Sequence, residues 1–508
     1  MHQALLIDEI FREIASFTLE YDRKSLICAA RTCRAWKDPA LDFIWERLPS
    51  VEPLLVLLPG VSLSNGEYIC NNLNSSNLDT FNSYAGRVKH IRNTQNIKLH
   101  SNLASIMPCS YSQHLSIPNL LTSYISIPRC NKRLIHFNFS ASLQCVDMDL
   151  GFKAQRFDVE ESIAKYMEQL KDECHQLRHI GLRGTASPRI NDTIATMSNL
   201  ESVSLRLGNS LLPGTLARIA MFPSLQELEV HAGHIQCNDI DETLGKESSL
   251  TFPSLRKLHI RAKSSVVEKI TEMVQPDTLQ HFHIELDDPA PSDSHWDVIF
   301  ESISMKAATS LRHLALEHQF EFPEQSLSTQ AVDPSSIAPG VYTPPSSMQF
   351  DSLKKLRGLS QLRHFRCDLT LPPTSCEQGL PSLLAWWPLL SHLNLGSAPD
   401  TDDNQYPVTA KLTPASLSFL SKKSVNLETL ILPFVLDDLS LPPTEEDRAQ
   451  NRILNMTVSR LESVNAQQFA ERIHSLFPAL QNLEGARDES PTWAVVKKVL
   501  HDTHLSAP

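Results

Sequence analysis

Apolar residues recur at helical spacing between residues 4 and 48 of the chain. The first predicted helix carries four of them: Leu6, Ile10, Ile14 and Phe17. Asp22 is placed to cap a second helix, and Pro39 is placed to open a third. Three helices of this size bury little surface, so we expect the unit to depend on a partner or on the following chain. Ile14, Phe17 and Cys33 are assigned to its core.

From about residue 85 the pattern changes to an apolar triple of the form L-x-x-L-x-L, which suits a short strand. A bare triple also arises by chance, so the spacing matters more. From Leu177 to Leu311 the successive triples begin 23, 25, 30, 24 and 32 residues apart, within or near the period of leucine-rich repeats. Clear triples begin at Leu177, Leu200, Leu225, Leu255, Leu279, Leu311, Leu362, Leu390 and Leu427, and weaker ones at Val88, Leu143, Ile453 and Leu480. Helical patterns between them predict an α/β fold in the form of an irregular solenoid, with an ordinary α/β sheet as the alternative.

One stretch breaks the repeats. Residues from about 320 to 350 are rich in Pro and Ser and have no periodicity, which predicts a disordered insertion. The predicted organisation is a helical unit at residues 1–50, a linker leading into the solenoid at residues 51–84, and repeats at residues 85–505.

Composition narrows the classes of function. The formal net charge of -12 disfavours a nucleic-acid binder, which needs a basic face. The chain has 15 glycines and no phosphate-binding loop motif, which disfavours a nucleotide enzyme. There is no apolar stretch of membrane-spanning length and no basic secretory start. The ten scattered cysteines lack zinc spacing and indicate reduced thiols, so we expect a cytoplasmic or nuclear location.

The sequence offers no motif for catalysis or for a cofactor. His281 and His283 lie two residues apart and could chelate an ion. Because no Cys or carboxylate at ligand spacing completes the set, neither a metal nor a cofactor is expected. These observations favour a protein that is not an enzyme and that acts through its surface.

The N-terminal unit resembles an F-box. The resemblance rests on Leu6-Ile7-Asp8-Glu9-Ile10, Ile14, Leu26, Thr32-Cys33-Arg34, Trp36 and the segment from Leu41 to Trp45. An F-box followed by irregular leucine-rich repeats is similar to the fungal-type F-box/leucine-rich-repeat proteins. The similarity covers most of the chain and is strongest in the first 50 residues.

This resemblance implies a substrate-recognition adaptor of an SCF (SKP–cullin–F-box) ubiquitin ligase. The F-box would dock on the SKP-type adaptor, and through it on cullin, while the repeats capture a protein substrate. The adaptor-binding residues implied are Leu6, Ile7, Glu9, Ile10, Leu26, Trp36, Leu41 and Trp45. The alternative is a leucine-rich-repeat interaction scaffold that is not coupled to ubiquitination. Neither hypothesis involves nucleic acid or a membrane.

In a solenoid strand, the residues between the buried ones face outward on the concave side. The candidate substrate contacts are ten such residues: His179, Arg183, Arg206, Glu227, Lys257, Arg261, His281, His313, His364 and His392. Further outward rows contain His259 and His283, and Glu285 and Glu317. Histidine therefore recurs on one surface. That surface is either a recognition face whose charge changes between about pH 6 and 7 or a set of soluble residues at exposed positions.

Overall fold

The computed structural model describes residues 7–70, 78–100, 117–129, 131–153, 156–244, 252–288, 293–319, 348–370, 373, 376–396, 412–437, 441, 451–462, 465–485 and 491–506. It divides into two compact units, Met1–Leu225 and Gln226–Pro508. The predicted insertion lies outside the described residues except for residues 348–350, and Leu6 also lies outside them. Within the described ranges, no helix is long and apolar enough to cross a membrane.

The first unit begins with three helices: α1 (Asp8–Tyr21), α2 (Arg23–Thr32) and α3 (Arg34–Glu46). As predicted, Asp22 caps α2, because its carboxylate accepts hydrogen bonds from the backbone N–H groups of Lys24 and Ser25 at 2.9 and 3.2 Å. The prediction that Pro39 opens the third helix is wrong. Cys33 is extended and separates α2 from α3, so α3 begins directly after it and contains Pro39.

The three helices pack around a small core made by Phe11, Ala15, Leu26, Ala40 and Ile44. The assignment of Ile14 and Phe17 to this core is wrong, since both side chains are exposed. Helical spacing gives the reason: each residue is turned by about 100° from the one before it, so Ala15 faces the core when Ile14 does not. Cys33, the third residue assigned to the core, is half-buried.

The first unit continues with short strands. They are β1 (Arg47–Leu48), β2 (Val61–Ser64), β3 (Glu67–Cys70), β4 (His90–Asn93), β5 (Thr122–Ser126), β6 (Cys145–Gly151), β7 (His179–Gly184) and β8 (Ser202–Arg206). β2 and β3 form an antiparallel hairpin that turns at Asn65 and Gly66, both with positive φ. The others pair in parallel in the order β1, β4, β5, β6, β7, β8.

The second unit repeats this arrangement. Its strands are β9 (Glu227–His231), β10 (Lys257–Ala262), β11 (His281–Leu286), β12 (His313–His318), β13 (His364–Leu369), β14 (His392–Asn394), β15 (Thr429–Asp437), β16 (Asn455–Glu462) and β17 (Asn482–Gly485). Each pairs in parallel with the next strand along the chain. This order is that of a stacked repeat, since the strand order of a doubly wound sheet reverses at a switch point.

Helices alternate with the strands in both units. In the first unit they are Glu52–Leu55, Asp79–Ala85, Lys132–Ile135, Phe157–Glu173, Pro188–Ile194 and Pro213–Ile219. In the second they are Cys237–Leu244, Ser264–Met273, Asp293–Ala307, Phe350–Leu353, Cys376–Trp386, Pro414–Lys423, Ala466–Leu476 and Pro491–Ser506. Short 3-10 turns add Ile127–Arg129, His136–Asn138, Gly208–Ser210 and Lys354–Gly358.

The apolar triples form the core of the repeats. Leu177, Ile180 and Leu182 are all buried where the chain enters β7, and so is every other triple, clear or weak. The prediction of an α/β, solenoid-like repeat is confirmed at this level. β5 does not show the triple in the sequence, because Ser123 occupies the position where the pattern has its second apolar residue. The predicted domain boundaries stay predictions.

Candidate functional sites

One face of α1 is apolar and exposed. Ile7, just before the helix, is 48% exposed, and Ile10, Ile14 and Phe17 are 39%, 42% and 59% exposed. These four residues, called the α1 stripe below, recur at steps of three and four residues and share one side of the helix. The adjoining side, about 100° around the helix from Ile10, carries Phe11 into the core. α1 therefore has two apolar faces, of which the three-helix packing covers one.

A cleft of 430 Å³ adjoins the helices. It is lined mainly by apolar side chains of α2 and α3 and of the chain that follows, among them Ile27, Leu41 and Trp45. Three cationic residues also line it: Arg23, Arg31 and Lys37. Ile27 is 43% exposed and lies at the cleft, while the rings of Trp45 and Tyr84 pack at 4.6 Å between their centroids. The cleft provides a second apolar surface on the same small unit.

Ion pairs attach the helices to the chain that follows. Arg87, at the end of the helix Asp79–Ala85, bonds to Asp38 at 2.7 Å and also pairs with Asp42. Both carboxylates belong to α3, and Asp42 also accepts from Arg12 of α1 at 3.0 Å. The expectation that the small unit depends on the following chain agrees with these contacts.

The residues predicted to bind the adaptor fall into distinct environments. Ile7, Glu9 and Ile10 are exposed, and Leu41 and Trp45 are half-buried at the cleft. The half-buried ring of Trp36 stacks on that of Phe11 at 5.0 Å. Leu6 lies outside the described residues. Their role in adaptor binding stays a prediction.

One of these residues needs a correction, and three candidates were missed. Leu26 is 1% exposed and belongs to the core, because its position on α2 turns it towards α1 and α3, so the chain does not present it to a partner. Ile14 and Phe17 extend the exposed stripe, and Ile27 extends the cleft. The step of three and four residues from Ile10 to Phe17 was the signal that could have identified the stripe.

The predicted outward residues of the strands form registered rows. In the first unit His179 lies beside Ser202, and Arg183 beside Arg206. In the second unit one row contains six of the predicted residues: Glu227, Lys257, His281, His313, His364 and His392. The four histidines of this row are called the histidine row below. Arg261 lies two rows further on. The register places these residues as predicted within each unit, while substrate contact stays a prediction.

The rings of the histidine row stack on one another. His281 and His313 lie 4.1 Å apart between ring centroids, His313 and His364 4.2 Å, and His364 and His392 5.7 Å. Burial and then the neighbouring His281 and His364 lower the pKa of His313 to about 4. The pKa of each other member is also lowered, chiefly by burial. The row is therefore neutral at neutral pH.

The next row combines histidines with carboxylates. His259 Nε2 lies 2.6 Å from Glu285 Oε1, and His259 Nδ1 lies 3.4 Å from Glu229 Oε1. Burial alone would lower the pKa of His259, but the hydrogen bonds with Glu229 and Glu285 raise it. His283 stacks on His259 at 4.1 Å, and its Nε2 lies 3.0 Å from Glu317. Burial and then the charge of His259 lower the pKa of His283.

Two clusters correct the sequence-based reasoning about metal ligands. The pair considered from the sequence, His281 and His283, is not one of them. His283 instead meets His259 of the neighbouring strand and Glu285, which lies two residues further along its own strand. In the first unit, Cys145, Asp147 and His179 also bring their ligand atoms within 4.8 Å of one another. Linear spacing missed both sets, since the strand register joins residues that lie far apart in the sequence.

The Cys145 cluster is not arranged for nucleophilic catalysis. Burial, followed by the charge of Asp147, raises the pKa of the Cys145 thiol to about 12. A nucleophilic cysteine needs a lowered pKa instead, since the thiolate is the reactive form. His179 also directs Nε2 to Asp147, at 3.1 Å. In the metal-free chain this thiol is therefore not an activated nucleophile.

Comparisons with known proteins leave the family open. The chain matches no protein-family model and no curated protein. Solved structures do match, among them a chain of the crystal structure of the Rad7 and Elc1 complex in yeast, with 15% sequence identity and a TM-score of 0.40. That match covers 92% of this chain and 99% of the other. Similarity at this level does not identify a function.

Proposed function

We propose that this protein is a substrate-recognition adaptor of an SCF-type ubiquitin ligase. The observation that carries the proposal is the α1 stripe, an exposed apolar face on a three-helix unit placed ahead of a long parallel repeat. The F-box-like sequence of this unit, from Ile7 to Trp45, supports the same assignment. Helices α1–α3 would dock on the SKP-type adaptor and so recruit cullin.

The energetics favour docking through α1. A fully buried aliphatic or aromatic side chain contributes about 1.5–3 kcal/mol relative to its exposed state. Ile10, Ile14 and Phe17 are 39%, 42% and 59% exposed in the chain alone, so a partner helix that covered them would gain roughly half of that contribution for each. The cleft beside Ile27 and Trp45 offers a second set of anchors next to α2 and α3.

The repeats would present the substrate site. The proposed contacts are the registered polar rows, with His179, Arg183 and Arg206 in the first unit and the row from Glu227 to His392 in the second. We propose that the chain performs no catalytic step itself and leaves ubiquitin transfer to other subunits. We further propose that it acts in the cytoplasm or nucleus, where its substrate is a protein.

The central test measures binding of the full chain to a purified SKP-type adaptor. The double variant Ile10→Asp/Ile14→Asp should weaken binding by at least about 100-fold, since it places two charges in the apolar contact. The matched control is Val298→Asp/Met305→Asp, which changes two exposed apolar residues on the helix Asp293–Ala307. Unchanged adaptor binding by a folded α1 double variant would contradict the proposal.

A second measurement separates the ligase adaptor from a scaffold. Cullin should co-purify with the wild-type chain from cells and should be lost with Ile10→Asp/Ile14→Asp. Adaptor binding without cullin would favour the scaffold instead. Proximity labelling then addresses the substrate: charge reversal of Arg183, Arg206 and Arg261 together should reduce labelling of substrate proteins while adaptor binding persists. Unchanged labelling by the folded triple variant would exclude this part of the strand surface.

A further inference from the structure

We propose that Cys145, Asp147 and His179 form a binding site for a divalent transition-metal ion of the zinc type. The three ligand atoms lie within 4.8 Å of one another. Cys145 Sγ is 3.8 Å from Asp147 Oδ2, and Asp147 Oδ1 is 3.1 Å from His179 Nε2. Bond lengths of about 2.0–2.3 Å to zinc require ligand atoms roughly 3.3–3.8 Å apart in a tetrahedron, so small side-chain rotations would suffice. The site is independent of the proposed adaptor function.

Strand register produces this site. Cys145 and Asp147 are two residues apart on β6, so their side chains point to the same face. His179 is the first residue of β7 and pairs directly with Cys145. Rigid strands thus fix all three ligands, which lowers the conformational cost of gathering them around an ion.

A glycine leaves space for the ligands. Gly181 pairs with Asp147 across the strands, and a Cβ at Gly181 would lie 2.0 Å from Asp147 Oδ1 and 3.3 Å from His179 Nε2. No positive φ is recorded at this glycine, in contrast to Gly184 at φ +115°. A glycine at position 181 is therefore needed to leave space for the Asp147 carboxylate and not to allow an unusual backbone conformation.

A hydroxyl orients the histidine. His179 Nδ1 lies 2.8 Å from the Ser202 hydroxyl on β8, which leaves Nε2 to face Asp147. Metal-binding histidines commonly have a hydrogen-bond partner at the second ring nitrogen, and this partner fixes the ring. The side chains of Asp147 and His179 are 43% and 27% exposed, so a fourth position is open to water or to a partner.

The composition of the set favours zinc. Thiolate and imidazole are preferred ligands of zinc, and a carboxylate with an open fourth position matches sites that keep one coordination position free. The competing set, His259, His283 and Glu285, lacks a thiolate. It is also held in charge pairs, because His259 lies between Glu229 and Glu285. Glu229 is not a member of that set, so it would compete with a metal for His259.

The test titrates Zn²⁺ and Co²⁺ into the full chain after removal of metals with a chelator. One ion should bind, and Co²⁺ should show a thiolate charge-transfer band. Cys145→Ser should abolish that band, and both Cys145→Ser and His179→Gln should weaken Zn²⁺ binding by about 100-fold or more. Ser202→Ala should weaken it by about tenfold, as the loss of an orienting partner does.

Controls separate this site from other histidines. His90→Gln is matched to His179→Gln, since His90 Nδ1 also lies 2.8 Å from a hydroxyl, that of Thr122 on the next strand. His90→Gln and His259→Gln should each leave Zn²⁺ affinity unchanged. Gly181→Ala should weaken it while preserving the helix and strand content of the chain. The proposal is overturned if wild type binds no stoichiometric Zn²⁺ or if Cys145→Ser keeps the Co²⁺ band.

Discussion

The three-helix unit and the strand rows expose opposite kinds of surface. On α1, the apolar side chains of Ile10 and Phe17 are 39% and 59% exposed. On the strands of the second unit, most outward side chains are charged or polar and several pair with one another, as His259 does with Glu285 and Arg366 with Glu317 at 3.2 Å. The α1 stripe offers apolar area that a partner can remove from water. The strand rows offer polar groups, several of which are already hydrogen-bonded or ion-paired.

This difference determines how each region would bind. A partner of α1 gains free energy mainly by removing apolar area from water. A partner of the strand rows must replace hydrogen bonds and ion pairs that the protein already makes, so its gain comes from specificity more than from area. Substitutions on the helices should therefore change stability or affinity, whereas the strand rows should respond mainly to pH.

The largest expected effect comes from the helical core. Leu26→Ala removes a buried side chain that packs among Phe11, Ala15 and Ile44. We expect the free energy of unfolding of the three-helix unit to fall by about 3 kcal/mol, from the lost apolar burial and the cavity left behind. Chemical denaturation followed by the fluorescence of Trp36 and Trp45 measures this change.

Ile27→Ala is the matched control for that experiment. Ile27 is the next residue on α2 but is 43% exposed at the cleft, so its removal should change stability by less than about 0.5 kcal/mol. If Ile27 contacts the adaptor, this variant should instead lower adaptor affinity. Equal destabilisation by the two variants would mean that α2 does not separate core from surface as described.

Much of the fold follows from the sequence, because period and burial are linked. The triple that begins at Leu177 fixes which side chains of β7 are buried, and the outward position of His179 follows from strand alternation. β5 could not be identified in this way, because Ser123 occupies a position that the pattern requires to be apolar. The register of neighbouring strands also follows from the sequence, because every triple occupies the same position in its strand.

The sites were harder to predict than the strands. On a helix with two apolar faces, the sequence does not say which face is covered, and Ile14 was therefore placed in the core by mistake. The cluster of Cys145, Asp147 and His179 depends on pairing between strands, which linear spacing does not contain. Sequence patterns thus predicted most strands of the repeats but not β5, while contacts between elements required the structure.

The next largest effect concerns the histidine row and acid. The pKa of His313 is about 4 in the folded chain and would be near 6.5 in the unfolded chain. The unfolded chain therefore binds more protons in this range, so stability falls as the pH drops from 6.5 towards 4. Between pH 6.5 and 4, the free energy of unfolding should fall by about 1 kcal/mol less in His313→Gln than in wild type. This figure allows for screening by the solvent around the row.

Denaturation curves at a series of pH values measure this effect, and His175→Gln, an exposed histidine of the first unit outside the strands, serves as the control. The wild-type and control curves should fall together on acidification, while the His313→Gln curve should fall less. If the His313→Gln curve is as steep as that of wild type, the stacked row does not lower this pKa.

The smallest expected effect has the opposite sign and lies one row away. The hydrogen bonds with Glu229 and Glu285 raise the pKa of His259 above 6.5 in spite of burial. Its contribution to stability is thus complete below pH 6.5 and is lost as the pH rises through the folded pKa. His259→Gln should make the protein more sensitive to acid, by less than about 1 kcal/mol because the pair is partly exposed.

Glu285→Gln should shift the curve in the same direction, since it removes the carboxylate that holds the proton on His259. A His259→Gln curve flatter than wild type would place this histidine with the neutral row, and the distinction between the two rows would fail.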